Sequence, residues 1–336
     1  MVTSSSDAEY DYTLLELPKD VAALFESGDG TPLVIRGGCD SDAVLCAHNT
    51  AYSVRLVSTS NTLLLAKEDR VVSTLSVYAE LAPASTAAAV AHVRALLADC
   101  AFSMDHARGP RVSLAQLYEV VQASDTQIRA ALEECGAFEF DACVRTVDPV
   151  FLNQFIQLFI AAIDIFDKDT NALTKQDALD MMAEHEIPDP VIEHCLTLVG
   201  EETVAGSGIY ALSHRKICRI TGSETLMSLE AQNTPINEFM KLWRKATPSS
   251  FDLSLDHLQG IYLIEGDLNQ TINKSALPAS PKERLEYLFT IRRKWAANDI
   301  RPYIEDLAEN KKKLDLLLLK YARLSRAGDI VYYSAR

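Results

Sequence analysis

Residues 113–148 read SLAQLYEVVQASDTQIRAALEECGAFEFDACVRTVD, and this stretch decides the fold that we predict. Two helical segments come first, with Ser113 and Ser124 at N-cap positions and Gly136 at the position of a helix stop. The following AFEFDACVRTV has the composition of a two-stranded ribbon. Two helices followed by a ribbon are typical of a helix-turn-helix unit with a wing.

The same order of elements recurs three more times along the chain, with low sequence identity between the copies. A long apolar helix at 150–166 precedes the second copy. The later copies run from LTKQDALDMMAEH to TVAGSGIYALS, from KICRITGSETLMSLE to IYLIEGDLNQTINK, and from ERLEYLFTIRRKW to YARLSRAGDIVYY. We therefore predict tandem winged-helix domains, with region 1 at 109–215, domain 2 at 216–278 and domain 3 at 279–336.

The first part of the chain is rich in short strands. TPLVIRGGCDSDAVLC, AYSVRLVSTSNTLLLA and VVSTLSVYAEL contain apolar runs between Gly, Asp, Asn and Ser turns. These strands predict a small β-barrel or sandwich, with the helix STAAAVAHVRALLADC trailing it, over residues 1–108. Four or five strands make a thin core whose edges require a partner. The fold class that we predict is α+β.

Composition excludes several classes of protein. The chain has 336 residues, is 48% hydrophobic and has no run of 18 apolar residues, so no membrane span is expected. Its start lacks the basic and apolar segments of a secretion signal. Seven scattered cysteines without a CxxC pair predict reduced thiols in a cytosolic or nuclear protein. We predict no cofactor and no metal site.

One loop resembles a calcium site but lacks its essential ligands. Asp167, Asp169 and Asn171 occupy loop positions one, three and five, whereas Ala172 and Ala178 replace the required Gly and Glu. No nucleotide-binding, serine-hydrolase or zinc-protease motif occurs elsewhere. We expect a non-catalytic protein; an enzyme with an unrecognised Cys/His site stays as an alternative, to be detected by a thiol of low pKa.

Charge is distributed unevenly along the chain. The net charge is −15, yet Pro281–Arg336 has thirteen Lys or Arg against eight Asp or Glu, while the rest has nineteen against thirty-nine. A basic end on an acidic body is suited to contact a phosphate backbone. The last helix and wing of a winged helix face DNA. The predicted DNA-binding residues are Lys311, Lys312, Lys313, Lys320, Arg323 and Arg326, with Arg292, Arg293 and Lys294 as secondary contacts.

The stretch RRKWAANDIRPYIEDL, residues 292–307, has a divided role. We predict that Trp295 packs in the core with Ile300, Tyr303, Ile304 and Leu307. Asn298 or Asp299 is predicted to cap the helix that follows. The basic residues before the tryptophan remain on the surface.

The same stretch resembles the C-terminal signature of the sister chromatid cohesion protein Dcc family. Further similar segments follow the same order along the chain, among them LVIRGG, VSTSNTLLL, VIEHCL, FMKLWRKATP, SLDHLQG, KERLEYLF and LLLLKYARLSR. The resemblance covers nearly the whole chain; residues 66–110 and 261–278 match least.

The resemblance implies a nuclear accessory subunit of the Ctf-eighteen-type alternative clamp loader. The N-terminal β domain would join the C-terminal tail of the large clamp-loader subunit and the small Ctf-eight subunit. The strand residues expected at this junction are Leu33, Val34, Ile35, Val44, Leu45, Val54 and Leu56. The winged helices, usually three in the family, would bind DNA and the catalytic subunit of DNA polymerase epsilon, and so direct sliding-clamp loading or unloading. A protein-binding scaffold without DNA binding is the alternative.

Overall fold

The computed structural model describes residues 12–27, 33–37, 43–47, 49–84, 86–104, 111–229, 234–265, 268–272, 277–278, 280–308, 310–328 and 330–336. These residues form two compact units. One comprises the residues described up to Val93 together with Leu114–Glu134, and the other comprises Arg94–Ser113 with Cys135–Arg336. Both units combine helices with small sheets, so the predicted α+β class is confirmed.

The first unit is built on one five-stranded sheet. Its elements are β1 (Leu14–Glu16), α1 (Lys19–Ser27), β2 (Leu33–Arg36), β3 (Val44–Ala47), β4 (Thr50–Lys67), β5 (Arg70–Pro83), the first residues of α2 (Thr86–Leu96), α3 (Leu114–Val120) and α4 (Asp125–Glu134). The strand order is β1-β5-β4-β3-β2. β1 is parallel to β5, and the other pairs are antiparallel.

This sheet is open, and the prediction of a barrel or sandwich is wrong in that respect. Among the described residues, β2 and β1 form its two edges, and the first unit contains no second sheet. Closure would require strands of similar length and a consistent stagger. Here β4 and β5 are much longer than β1, β2 and β3, which have three or four residues each.

Both faces of β3 are covered by side chains of the first unit. Ala47 and Tyr52 pack with Val21 of α1 on one face. Val44, Cys46 and Ala51 form a cluster on the other, since neighbouring residues of a strand point to opposite faces. The helix α1 is not expected from the sequence reading, which treats this part of the chain as strands alone.

Polar contacts attach the start of α4 to the sheet. Ser124 Oγ donates to the Asn49 carbonyl at 2.9 Å, and Thr126 donates to the Asn49 side chain at 2.8 Å. The Arg36 guanidinium donates to the Ala123 carbonyl and to the Asp125 carboxylate. Ser124 also exchanges hydrogen bonds with Gln127, which confirms its predicted role at the helix N-terminus.

The second unit contains the end of α2 and most of the remaining elements. They are β6 (Ala101–Phe102), β7 (Phe138–Phe140), β8 (Cys143–Val147), α5 (Pro149–Ile165), β9 (Leu173–Thr174), α6 (Lys175–Met182), α7 (Asp189–Val199), β10 (Gly200–Glu202), β11 (Ile209–Leu212), α8 (His214–Ser228), β12 (Thr234–Pro235), α9 (Ile236–Ala246), β13 (Tyr262–Glu265), β14 (Leu268–Thr271), α10 (Pro281–Ile291), β15 (Lys294–Ala296), α11 (Ala297–Ile300), α12 (Lys311–Tyr321), β16 (Ala322–Ala327) and β17 (Ile330–Ala335). Short 3-10 turns occur at Ala183–His185, Leu255–Leu258, Arg301–Tyr303 and Glu305–Leu307.

From α2 onward, a six-element order repeats four times in the described chain: helix, strand, helix, helix, strand, strand. The 3-10 turn Leu255–Leu258 takes the place of the third helix in the third repeat. Each repeat forms a three-stranded sheet in which the last strand lies between the first and the second. In the first repeat, α3 and α4 belong to the first unit and the strands to the second.

Among its described residues, the second unit has two separate apolar cores. The larger core runs from Phe102 to Leu258 and centres on α5, whose Phe155 and Phe159 rings stack at 5.2 Å. Asp148 caps α5 through two backbone hydrogen bonds, and Pro149 occupies its first turn. The smaller core contains residues from Ile272 to Tyr333. No helix of the described residues is long and apolar enough to cross a membrane.

Candidate nucleic-acid interface and partner-binding sheet

Trp295 organises the C-terminal repeat. It is fully buried on β15, its indole nitrogen donates to the Leu288 carbonyl at 3.0 Å, and its ring meets Tyr303 edge to face at 5.6 Å. Ile300 and Ile304 are also fully buried in this core, and Leu307 packs against it. The predicted core residues of this repeat are therefore confirmed.

The predicted cap of the next helix is wrong. β15 runs directly into α11, so that the cap position falls on Ala296, which makes no side-chain cap bond. Asn298 and Asp299 lie inside the helix. Asp299 instead accepts from Arg292 at 3.2 Å.

The α12 helix carries four of the predicted cations. Its N-cap is Asn310, whose side chain accepts from the backbone nitrogen of Lys313 at 3.0 Å. Lys311, Lys312 and Lys313 form the first turn and are exposed. The positive end of the helix dipole lies at this turn, so three lysines here reduce helix stability and strengthen the local positive potential.

Helix geometry separates these lysines into two directions. At ~100° per residue, Lys312, Lys313 and Lys320 point to one side of α12, the side opposite the buried Leu314 and Leu318. Lys311 points elsewhere. The helix therefore brings three of its four cations together.

The strands of this repeat divide the remaining cations. Lys294 and Arg323 both lie opposite Ser334 in the sheet β15-β17-β16, so that their side chains share the outer face. The Lys294 ammonium lies 4.3 Å from the centre of the Tyr332 ring on the same face. Arg326 is exposed but points to the other face, because it lies an odd number of residues from Arg323.

Arg292 and Arg293 differ in availability. Arg292 pairs with Asp299 and lies over the Trp295 ring at 5.4 Å, and its side chain is 24% exposed. Arg293 is exposed. Arg292 thus has a role inside the protein, whereas Arg293 is accessible.

The second candidate interface is the long hairpin formed by β4 and β5. β3 lies opposite only Thr50–Ser53, and β1 opposite only Tyr78–Glu80. From Val54 to Lys67 and from Arg70 to Val77 no described strand pairs with the outer edges. Fourteen residues of β4 project in this way, over about 45 Å at ~3.3 Å per residue.

The projecting hairpin has apolar side chains on both faces. Leu56, Leu64, Val72 and Val77 are 72%, 62%, 42% and 38% exposed. Val77 and Leu75 lie two residues apart on β5 and share one face, on which Leu75 pairs with Leu63, and both leucines are half-buried. Leu64, which pairs with Thr74, lies on the other face. A hairpin solvated on one face would alternate apolar with polar residues. An isolated two-stranded ribbon is also marginally stable in water.

The seven strand residues expected at the partner junction have different environments. Ile35, Leu56 and Val34 are 70%, 72% and 41% exposed. Leu33 and Val54 are half-buried. Val44 and Leu45 are buried in the first unit at 5% and 3% exposure. The exposed surface of this set lies on β2 and on the projecting part of β4.

The calcium-like loop satisfies its carboxylates internally. Asp169 accepts from the backbone and side-chain nitrogens of Asn171 at 2.9 and 3.1 Å. Asp177 forms a capping box with Thr174 and an ion pair with Lys168, which together lower the pKa of Asp177 to about 2. No group of three or more metal-ligating side chains occurs in the described part of the chain.

Two fully buried thiols, those of Cys195 and Cys218, have raised pKa values. Burial raises the pKa of Cys195 to about 12 and that of Cys218 to about 11. A nucleophilic cysteine requires the opposite shift. Among the described residues none of the six cysteines forms a disulfide, and Cys39 lies outside them. His194, next to Cys195, stacks on Phe138 at 4.3 Å, and burial lowers its pKa.

The sequence reading missed two exposed leucines on α12. Leu316 and Leu319 are 66% and 50% exposed and lie among the lysines of the accessible side. The helical spacing of Leu314, Leu317, Leu318 and Tyr321 defines the buried side. That spacing alone would have placed Leu316 and Leu319 outside the core.

Known proteins similar to this chain form a single family. The chain matches the family described as "Sister chromatid cohesion protein Dcc1" over residues 12–304. A relative from Danio rerio with this name is 28% identical, over 97% of this chain and 89% of the relative. The human relative is 27% identical over 99% and 90%. The Saccharomyces cerevisiae relative is 38% identical over 30% of this chain and 28% of its own length.

Proposed function

The chain belongs to the sister chromatid cohesion protein Dcc1 family, and from this membership and its open sheet we propose that it is a non-catalytic subunit of the Ctf-eighteen-type alternative clamp loader. It acts in the nucleus, in DNA replication and sister chromatid cohesion. It links the clamp loader to DNA and to the catalytic subunit of DNA polymerase epsilon. The family name is that of a cohesion protein and not of an enzyme family.

The projecting hairpin carries the proposal. No strand of the described residues pairs with its outer edges after Val54 on β4 and before Tyr78 on β5, and its two faces offer apolar side chains. A two-stranded ribbon of this kind is marginally stable alone. Strands from a partner can add to such edges and cover such faces. We propose that the large clamp-loader subunit's C-terminal tail and the small Ctf-eight subunit complete this sheet as a shared barrel. Ile35, Leu56 and Val34 belong to the surface that they cover.

The four repeats support a tandem winged-helix arm. Each repeat has the helix and strand order of a winged helix, and each sheet places the last strand in the middle. In the C-terminal repeat we propose that Lys312, Lys313 and Lys320 contact phosphates, together with Lys294, Arg323, Arg326 and Arg293 at the strands. Such contacts are independent of sequence and sensitive to salt. The acidic remainder of the chain opposes binding elsewhere on the arm.

A tagged pulldown from nuclear extract in high salt tests the clamp-loader assignment. We expect mass spectrometry to identify the large clamp-loader subunit, its small partner and the common clamp-loader subunits. A variant in which Asn-Gly replaces residues 59–76 keeps the register, because Ser58 pairs with Val77, and should lose them all. Recovery of none by the unmodified chain, or equal recovery by the variant, would reject the proposed role of the hairpin.

A titration of the full chain with duplex and single-stranded DNA separates the arm's two candidate functions. DNA binding requires affinity that falls steeply with salt. The absence of such binding, with recovery of the clamp-loader subunits intact, would favour a scaffold that binds proteins alone.

A further inference from the structure

The accessible side of α12 consists of leucines and lysines only. Five residues share this side: Lys312, Lys313, Leu316, Leu319 and Lys320. Leu316 lies one turn from each lysine and one turn from Leu319, at the spacings of three or four residues that bring helical side chains together. The C-terminal Arg336 adds a cation beside them, since its guanidinium donates to the Leu319 carbonyl at 2.6 Å.

Neither the core nor a phosphate backbone explains the two leucines. The core of this repeat is filled by Leu314 and Leu318 from the opposite side of α12. Phosphates recruit cations and hydrogen-bond donors, and gain nothing from exposed isobutyl groups. Each leucine would instead stabilise a complex in which a partner covered its exposed apolar surface. Single exposed leucines are common, but here two leucines one helical turn apart lie among three lysines.

We propose that this side of α12 binds an acidic amphipathic helix of a partner protein. Its apolar stripe would pack on Leu316 and Leu319, and its flanking Asp and Glu would face Lys312, Lys313 and Lys320. The charge of these lysines determines the partner's sign, because they attract carboxylates on a partner helix and repel its cationic side chains. A membrane is a poorer occupant, since two leucines supply little apolar area for insertion into a bilayer.

The partner helix and DNA use the same ammonium groups. Binding of one therefore excludes the other on α12. This competition rests on the DNA contact proposed above, whereas the docking of the helix does not. The competition allows a partner protein to regulate the DNA contact, because an acidic helix releases α12 from phosphates without any covalent change.

The test uses the purified full chain and a fluorescein-labelled synthetic peptide of about 15 residues, long enough for four helical turns. The peptide has leucine at helical spacing with glutamate on both flanks. A scrambled peptide of the same composition, and anionic vesicles, serve as alternative ligands. The variants are Leu316→Gln/Leu319→Gln and Lys312→Glu/Lys313→Glu/Lys320→Glu. Ile165→Gln on α5 is the matched control, since Ile165 is 79% exposed outside the α12 surface.

We expect the leucine variant to bind the peptide at least about tenfold more weakly, with DNA affinity changed less than about twofold. The lysine variant should lose both ligands, and Ile165→Gln should change neither. The peptide should displace DNA from the unmodified chain. Equal binding by the leucine variant, equal binding of the scrambled peptide, no peptide binding, or binding of vesicles alone would each overturn the docking surface. Peptide binding without DNA binding would overturn only the DNA contact and the competition.

Discussion

The projecting β4–β5 hairpin and the C-terminal repeat represent two ways of presenting a surface. In the described part of the chain the hairpin has strand edges without a pairing strand, and it has apolar residues exposed at 72% and 62%. The C-terminal repeat buries Trp295, Ile300 and Ile304 completely and exposes the lysines of α12 together with Leu316 and Leu319. The hairpin surface belongs to a sheet that a partner would complete. The C-terminal surface belongs to a repeat with a packed core and carries cations.

This difference predicts two kinds of association. A partner that completes the sheet of the hairpin gains backbone hydrogen bonds and apolar burial, neither of which salt weakens. A ligand of the lysines gains Coulomb energy that salt screens. High salt should therefore separate a permanent assembly at the hairpin from a reversible contact at α12.

Trp295→Ala provides the largest effect and tests whether the C-terminal core is self-sufficient. Removing this fully buried side chain should lower the free energy of unfolding of this repeat by about 3–5 kcal/mol. The Leu288 carbonyl also loses the indole donor at 3.0 Å and keeps the Arg292 backbone N–H. Urea unfolding followed by hydrogen exchange at α10 and α12 measures the loss, with Trp295→Phe as the milder control. Partner recovery by the hairpin should persist, and its loss would contradict the separation of the two surfaces.

The substitutions Leu56→Asp, Leu64→Asp and Val72→Asp, made together, address the other surface. Each places a carboxylate where a completing partner would exclude water, and we expect recovery of the clamp-loader partners to fall at least about 100-fold, or ~2.7 kcal/mol. Co-purification in high salt measures this. The same three positions changed to threonine provide a β-compatible control with smaller loss. Unchanged recovery with aspartate would mean that the hairpin stays solvated.

The local elements were predictable because their signals are local. Helical spacing and punctuation by Gly, Ser and Pro indicated the helices and ribbons of all four repeats, and Trp295 followed from the apolar spacing around it. The open sheet was not predictable, because closure depends on strand lengths and pairing partners. The sequence of Thr50–Lys67 does not indicate at which residue its pairing with β3 ends.

The residues of the candidate sites were predictable from the sequence, but the directions in which their side chains point were not. The basic residues of α12 are evident in the sequence, but their common side with Leu316 and Leu319 requires the helix boundaries. The sequence does not distinguish Arg323 from Arg326, whereas the pairing of β16 with β17 places their side chains on opposite faces of the sheet. Asp299 looked like a cap, but its carboxylate pairs with Arg292, because β15 continues to Ala296.

Lys311→Glu, Lys312→Glu and Lys313→Glu, made together, separate function from stability on the C-terminal repeat. We expect DNA affinity to fall about tenfold at physiological salt, and the slope of log affinity against log salt to decrease by up to about 2, because Lys311 points away from the proposed contact. Stability should instead rise by about 0.3–1 kcal/mol per substitution, because acidic residues suit a helix N-terminus. Salt-dependent titration and urea unfolding measure the two quantities. A loss of both would indicate that the lysines serve the fold.

The smallest effect concerns a charge that acts inside the fold rather than on a partner. Asp177 receives hydrogen bonds from Thr174 at 2.9 and 2.6 Å and pairs with Lys168. Its pKa of about 2 lies below the ordinary value of 3.8, so the charged form stabilises the folded state. This contribution is present above pH ~4 and is lost as the pH falls from ~4 to ~2.

Asp177→Asn should therefore lower the free energy of unfolding by about 1 kcal/mol at pH 7. The difference from the unmodified chain should shrink below pH ~4, as the native carboxylate itself becomes protonated. Urea unfolding at a series of pH values measures it, and Asp164→Asn on the exposed side of α5 is the control. A difference that does not change with pH would show that the side chain's shape matters and not its charge. DNA affinity should be unaffected, because Asp177 is distant in sequence from every cation proposed to contact phosphate. The two measurements together distinguish charged residues that stabilise the second unit from charged residues that bind a ligand.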